Sequence, residues 1–181
     1  MTVPRYILIT VLASAIVITL LASNAQETTA ATQSKIIIRS LGINSTIVFP
    51  TATDRNFLKQ MLDKGVVHYP LAAYPHEPQG NVFLFGHSSA RRFRNPAWNV
   101  FTNLGQLKPG AEIEVWYRDQ AYVYRTTQVK ILKPRQAEVY LTTPRRMLTL
   151  STCWPVGDPS NRFVVEAEFV KSYPLQNVAL R

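Results

Sequence analysis

Cysteine occurs once in the chain, at Cys153, directly after the run Met147–Thr152 and before Trp154-Pro155. Proline cannot continue a paired strand, so the thiol sits at a strand end. Sites are commonly built at such ends, on loops held by a rigid scaffold. A cysteine nucleophile acts as its thiolate, which nearby positive charge stabilises. Acyl transfer also needs a proton donor for the leaving amine, usually imidazole, and a donor aimed at the developing oxyanion. The chain has three histidines, His68, His76 and His87. His87 follows the apolar run Val82–Phe85 through Gly86, which places it at a second strand end. Arg162 opens a β-rich run nine residues after Cys153. Strands joined by so short a connection are neighbours, so Arg162 can lie beside the thiol. His68 reads as a packing or hydrogen-bonding residue near a substrate groove, and His76, between Pro75 and Glu77, as solvated loop. The bland reading of Cys153 is a small buried hydrophobe; its place at a strand end favours chemistry.

The elements that must position these residues are mostly short strands. Ile36–Arg39 is a β-branched run, and Ser45–Phe49 follows the Gly42 turn. Residues 54–64 form a helix-like stretch, with Thr53 as a candidate cap, a face of Phe57, Leu58, Met61 and Leu62, and Gly65 as the stop. Val66–Tyr69 and Asn81–Phe85 read as strands, and Trp98–Leu104 as a short helical turn. In Glu112–Arg118, Ile113, Val115 and Tyr117 share one face. Ala121–Leu132 pairs back on it through Asp119-Gln120, and Arg146–Thr152 and Arg162–Val170 close the series. About eight short strands with one or two short helices predict a mainly β fold, a closed or nearly closed barrel.

The chain has 181 residues, enough for one domain with an appendage. A single cysteine excludes an intramolecular disulfide and Cys-rich zinc sites. Twenty Lys and Arg against eleven Asp and Glu give a net charge of +9, and residues 1–34 hold only Arg5 and Glu27 of these. Tyr6–Ala22 is uncharged, follows Arg5, and has no Lys or Arg after it until Lys35. That is the pattern of a signal anchor with its N-terminus inside, or of a cleavable signal with a small-residue site at Ser23-Asn24-Ala25. The anchor is the preferred reading, with residues 1–23 as the transmembrane segment, 24–34 as a solvated linker and 35–181 as an exported catalytic domain. Export directs the basic charge toward acidic cell-envelope surfaces and away from nucleic acid. Arg91, Arg92 and Arg94 read as solvated loop, with contact to anionic phospholipid or wall-precursor phosphates as the functional option.

In these residues the sequence resembles the sortases. GNVFLFGHSS places His87 where the family has its catalytic histidine, and LTLSTCWP carries Thr149 to Cys153 in the family's T-L-x-T-C signature. RFVVEAEF supplies Arg162 at the family's arginine position. GVVHYP, with His68, is similar to the G-x-x-H-x-P stretch of several classes, and Phe101–Val115 resembles the segment after the histidine. The pieces run in family order from about Lys35 to Val170, with the subclass left open among D/E-like or related forms. The resemblance implies a cysteine transpeptidase that cleaves a sorting signal in a secreted protein. Cys153 would form the thioacyl enzyme, His87 would shuttle the proton, and Arg162 would bind the carbonyl and its oxyanion. Thr152 would add a contact beside the thiol. The acceptor would be the amine of a cell-wall precursor or of a pilin-like subunit. No cofactor and no metal are implied.

The chain also departs from the family pattern. Calcium-using members carry an acidic cluster where Lys133–Arg146 holds only Glu138 against four basic residues, so calcium activation is not expected. The segment between His68 and Gly80 differs from the usual small-residue turn. Trp154, directly after the nucleophile, is bulky enough to roof the site or shape its pocket. Two other readings are an L,D-transpeptidase and a non-catalytic surface protein on a sortase scaffold. The first lacks its S-x-G-C-x-R motif here, and the second is disfavoured by the intact His87, Cys153 and Arg162.

Overall fold

In the computed structural model, described over residues 33–89 and 94–175, the β-branched and aromatic runs pair into eight strands. These are β1 (Lys35–Ile38), β2 (Ile43–Val48), β3 (Val66–His68), β4 (Gly80–Phe85), β5 (Glu112–Tyr117), β6 (Gln120–Leu132), β7 (Arg146–Trp154) and β8 (Asn161–Pro174). They close into a barrel of order β1-β2-β3-β4-β7-β8-β6-β5, with β5 pairing back to β1. Among the described residues, closure leaves no open sheet edge for another chain to extend. The candidate signal anchor and most of the linker lie outside the described residues.

Two pairs are parallel, β2 with β3 and β4 with β7, and the rest are antiparallel. A parallel pair cannot be joined by a tight turn and needs a crossover. Helix α1 (Arg55–Leu62) supplies the first, and the β5–β6 hairpin lies within the second. The α1 cap is Asp54 rather than the expected Thr53: its carboxylate accepts from the Phe57 amide at 2.9 Å. The hairpin turns one residue earlier than expected, at Arg118-Asp119, because Tyr117 pairs with Gln120. The expected turn at Trp98–Leu104 is two separate 3-10 turns, Pro96–Asn99 and Leu104–Gln106.

Alternation along the strands builds the core. Ile36, Ile38, Leu84, Ile113, Val115, Leu148, Leu150 and Val165 are completely buried inside the barrel. Each contributes roughly 1.5–3 kcal/mol through burial. The opposite face of β3 and β4 is covered by α1, where Leu58 and Met61 pack on Val67 with Phe85 beside them. Gly65 follows α1 because the chain passes tightly under β2: a Cβ there would sit 2.5 Å from the Thr46 carbonyl oxygen.

His68 alternates with Val67 and therefore points into the barrel, where no part of it is exposed. Its Nε2–H donates to the Ala73 carbonyl at 3.0 Å, and its ring lies 4.9 Å from both Phe49 and Tyr74. Nδ1 has no hydrogen-bond partner among the described residues. Burial pushes the imidazole pKa below its ordinary value, against smaller opposing effects of the Ala73 bond and of Glu77. The unfolded chain therefore takes up a proton that the folded one resists. Stability contributed by neutral His68 is complete above the ordinary histidine range and is lost as pH falls through it toward the folded value. Urea unfolding between pH 7.5 and 5 should show this loss. His68→Leu should flatten the curve relative to the parent chain, and equal slopes would remove His68 as a source.

Candidate active site

The β7–β8 ladder places Cys153 directly opposite Arg162. Directly paired residues in an antiparallel ladder have Cα atoms about 4.5–5.5 Å apart and side chains on one face. That face is the outer one, since Leu148 and Leu150 on β7 and Phe163 and Val165 on β8 fill the interior. The parallel β4–β7 ladder ends at Phe85 opposite Ser151. Beyond it, residues 86–88 stay beside the end of β7. Hydrogen bonds hold that stretch: the Gly86 amide donates to the Ser151 carbonyl at 3.2 Å, Thr152 Oγ1 to the Gly86 carbonyl at 2.8 Å, and Ser88 Oγ to the Cys153 carbonyl at 2.8 Å. Cys153 and Arg162 thus share one face at one end of the sheet, and His87 lies two residues past the end of the neighbouring strand β4.

Each member has a defined surrounding. Cys153 and His87 are half-buried. The His87 ring stacks on Trp98, with centroids 4.6 Å apart and planes inclined by 15°. Burial lowers its pKa, Asp63 opposes that, and Lys59 adds to it. Arg162 Nη1 donates to the carbonyls of Pro159 and Asn161 at 3.0 and 2.9 Å. Those bonds tie the guanidinium to the β7–β8 connection and leave its other N–H groups without partners among the described residues. A nucleophile, a proton carrier and a fixed oxyanion donor are the parts acyl transfer requires.

The family model described as the sortase domain matches residues 36–170, a span that includes all three residues and every strand of the barrel except the first residue of β1 and the last four of β8. The chain belongs to the sortase family. It is 30% identical to sortase SrtE1 of Streptomyces coelicolor over 130 residues, which cover 64% of this chain and 35% of that protein. It is 29% identical to sortase D of Bacillus subtilis over 108 residues, 58% of this chain and 50% of that one. The chain thus spans half or less of the length of these two relatives. Among solved structures, sortase C-1 of Actinomyces oris superposes with a TM-score of 0.65 at 28% identity, covering 76% of this chain and 71% of that one.

Within this sortase the other expected site residues fall in different places. Thr152 is buried, and its hydroxyl is engaged with the Gly86 carbonyl, so it locks the β4 end to the β7 end. Trp154 turns to the interior side of β7, where it packs on Gly105 and on Phe163, with ring centroids 5.4 Å apart in the latter pair. Side chains alternate along a strand, so a residue next to Cys153 faces away from it. His68 lies inside the barrel and is not brought to the cleft. Arg91 and Arg92 lie outside the described residues.

Two contributors were not picked out from the sequence, and a third was visible there without its packing role. Ser88 Oγ donates to the Cys153 carbonyl, Trp98 stacks on the imidazole, and Gly86 makes room for the core. A Cβ on Gly86 would meet the Phe101 ring at 2.8 Å. The glycine between strand and histidine was visible in the sequence; what packs on it was not. The Thr152 clasp has a direct test. Thr152→Val leaves the buried Gly86 carbonyl unpaired and should cost about 1–3 kcal/mol in denaturant unfolding. Thr152→Ser keeps the donor and should recover most of that loss; equal losses in both variants would exclude the hydrogen bond as the cause.

Proposed function

We propose that this sortase is a membrane-anchored, exported cysteine transpeptidase that cleaves a sorting signal in secreted proteins and joins the acyl part to an amine. The observation that carries this reading is the pairing of Cys153 with Arg162 on one outer face, with His87 at the neighbouring strand end. Cys153 Sγ attacks the scissile carbonyl carbon, and Arg162 N–H groups bind the oxygen as it gains negative charge. The C–N bond then breaks, and His87 gives the departing amine its proton. An incoming amine attacks the thioester carbonyl, loses a proton to His87, and Cys153 leaves as the thiolate. The acceptor is an amine of a cell-wall precursor or of a pilin-like subunit. The charge-free segment Tyr6–Ala22 supports a single-pass anchor with the N-terminus inside and the catalytic domain outside.

The same outer face supports an extended peptide as the substrate. A groove of about 380 Å³ lies along β4, β6, β7 and β8 beneath the β6–β7 connection, lined by Asn81, Lys130, Tyr140, Thr149, Val164 and Glu166. Thr149 and Cys153 are both on the outward register of β7. At about 3.3 Å per residue, four extended residues bridge the two positions. The groove wall is tied down by Asn81, whose Nδ2 donates to the Tyr140 carbonyl and to Thr149 Oγ1, both at 2.9 Å.

The test is to incubate the chain with a library of sorting-signal peptides and an amine acceptor, and to follow products by mass spectrometry. Expected are a thioester adduct confined to Cys153 and an amine-ligated product. No adduct and no cleavage with any peptide, together with a thiol inert to alkylation, would overturn the reading.

A further inference from the structure

His87 must present its ring nitrogens to a leaving amine in one orientation, yet torsion about an imidazole's second side-chain bond is broad and roughly two-fold. Histidines in acyl-transfer sites are commonly oriented by a third group bonded to the ring. Here no side chain among the described residues hydrogen-bonds the His87 imidazole. What meets its face is the Trp98 indole, stacked 4.6 Å away and inclined by 15°.

The backbone around Trp98 is anchored on both sides of the histidine. Asn95 caps the 3-10 turn Pro96–Asn99 by accepting from the Ala97 amide at 3.1 Å, and its Nδ2 donates to the Asp63 carbonyl at the end of α1 at 2.6 Å. Beyond the turn, the Phe101 amide donates to the His87 carbonyl at 2.9 Å, and Asn99 Nδ2 donates to the Ser89 carbonyl at 3.3 Å. Phe101 is buried in the core, so this return is rigid. Trp98 is 36% exposed, and its indole stacks on the histidine ring.

We propose that Trp98 is a positioning residue for His87, its indole face fixing the plane of the imidazole beside Cys153 and shielding that face from water. This rests on the transpeptidase reading for the purpose it serves, but the contact can be tested without it. Among the described residues, Asp63 and Lys59 from the α1 side act on His87 with opposite effects, and Cys153 and Arg162 lie at the ends of the adjoining strands. Removing the indole leaves all four in place and lets water reach the ring, so the lowered imidazole pKa should rise toward its ordinary value.

The experiment titrates the His87 ring by NMR in the 181-residue chain and in Trp98→Phe, Trp98→Leu and Trp98→Ala, alongside peptide transpeptidation. Trp98→Ala should raise the His87 pKa and lower kcat by about 10–100-fold, the size of effect a misplaced catalytic group produces. The KM for the sorting peptide should hold, and Trp98→Phe should restore both the titration and kcat. Trp98→Leu, which retains bulk without an aromatic face, should fall between and guards against misfolding of the alanine variant. An unchanged titration in both Ala and Leu variants, or a change in KM alone, would overturn the proposal. Absence of turnover in the parent chain with every peptide would count against the transpeptidase reading, while the titration would still decide Trp98.

Discussion

Replacing Cys153 with Ser is expected to abolish transpeptidation, with a loss of at least about 10³-fold and no thioester adduct. The substitution changes one atom, and the half-buried position opens no cavity, so unfolding stability should move by less than about 1 kcal/mol. The loss is chemical. A serine hydroxyl is a poor nucleophile at neutral pH unless a strong base removes its proton. The base at hand, His87, has its pKa pushed below the ordinary histidine range by burial and is therefore weaker than a free imidazole. Steady-state ligation assays with the parent and variant chains measure the effect, and mass spectrometry checks the adduct. Serine retaining a substantial part of the parent turnover would show that Cys153 is not the nucleophile.

Arg162→Lys is expected to lower kcat by about 10²–10³-fold while the barrel stays intact, the range seen when an oxyanion donor is removed. Charge alone would call this substitution conservative. The geometry does not. One guanidinium nitrogen, Nη1, already donates to the Pro159 and Asn161 carbonyls, and the remaining N–H groups project from the same rigid plane. A lysine has one nitrogen on a flexible stem, so it cannot hold the connection and aim at the substrate oxygen at once. Arg162→Ala should lose as much or more. Circular dichroism and urea unfolding separate a folding defect from a catalytic one. Near-parental turnover in Arg162→Lys would remove Arg162 from the oxyanion role.

Much of the barrel was legible because strand pairing obeys local rules. Alternation in Glu112–Arg118 put Ile113 and Val115 inside, and both are completely buried. Pro155 ended the strand after Trp154, as expected from its missing N–H. Boundaries were less legible. β8 runs to Pro174, four residues past the expected end, because the start of β6, Gln120 to Val123, pairs with it beyond two register shifts. The helix cap moved from Thr53 to Asp54, since both residue types cap well and only the backbone direction selects one.

The order and type of the chemistry-bearing residues were in the sequence: one cysteine before a proline, a histidine after a strand and glycine, an arginine opening the next strand. Their assembly depended on register, which links residues far apart in the chain and follows from how the whole barrel closes. The parallel β4–β7 pair places the chain just before His87 beside the end of β7, and the Thr152–Gly86 hydrogen bond ties the two ends together. Face selection was also tertiary. His68 and Trp154 lie close in sequence to site features, yet alternation turns both inward once the core face of each strand is known. Trp98 is the converse case. Nothing local marks it, and it reaches the imidazole only because Asn95, Asn99 and Phe101 fold its turn back over His87. Composition and periodicity report each residue's own neighbours along the chain, whereas a site is made by neighbours across the sheet.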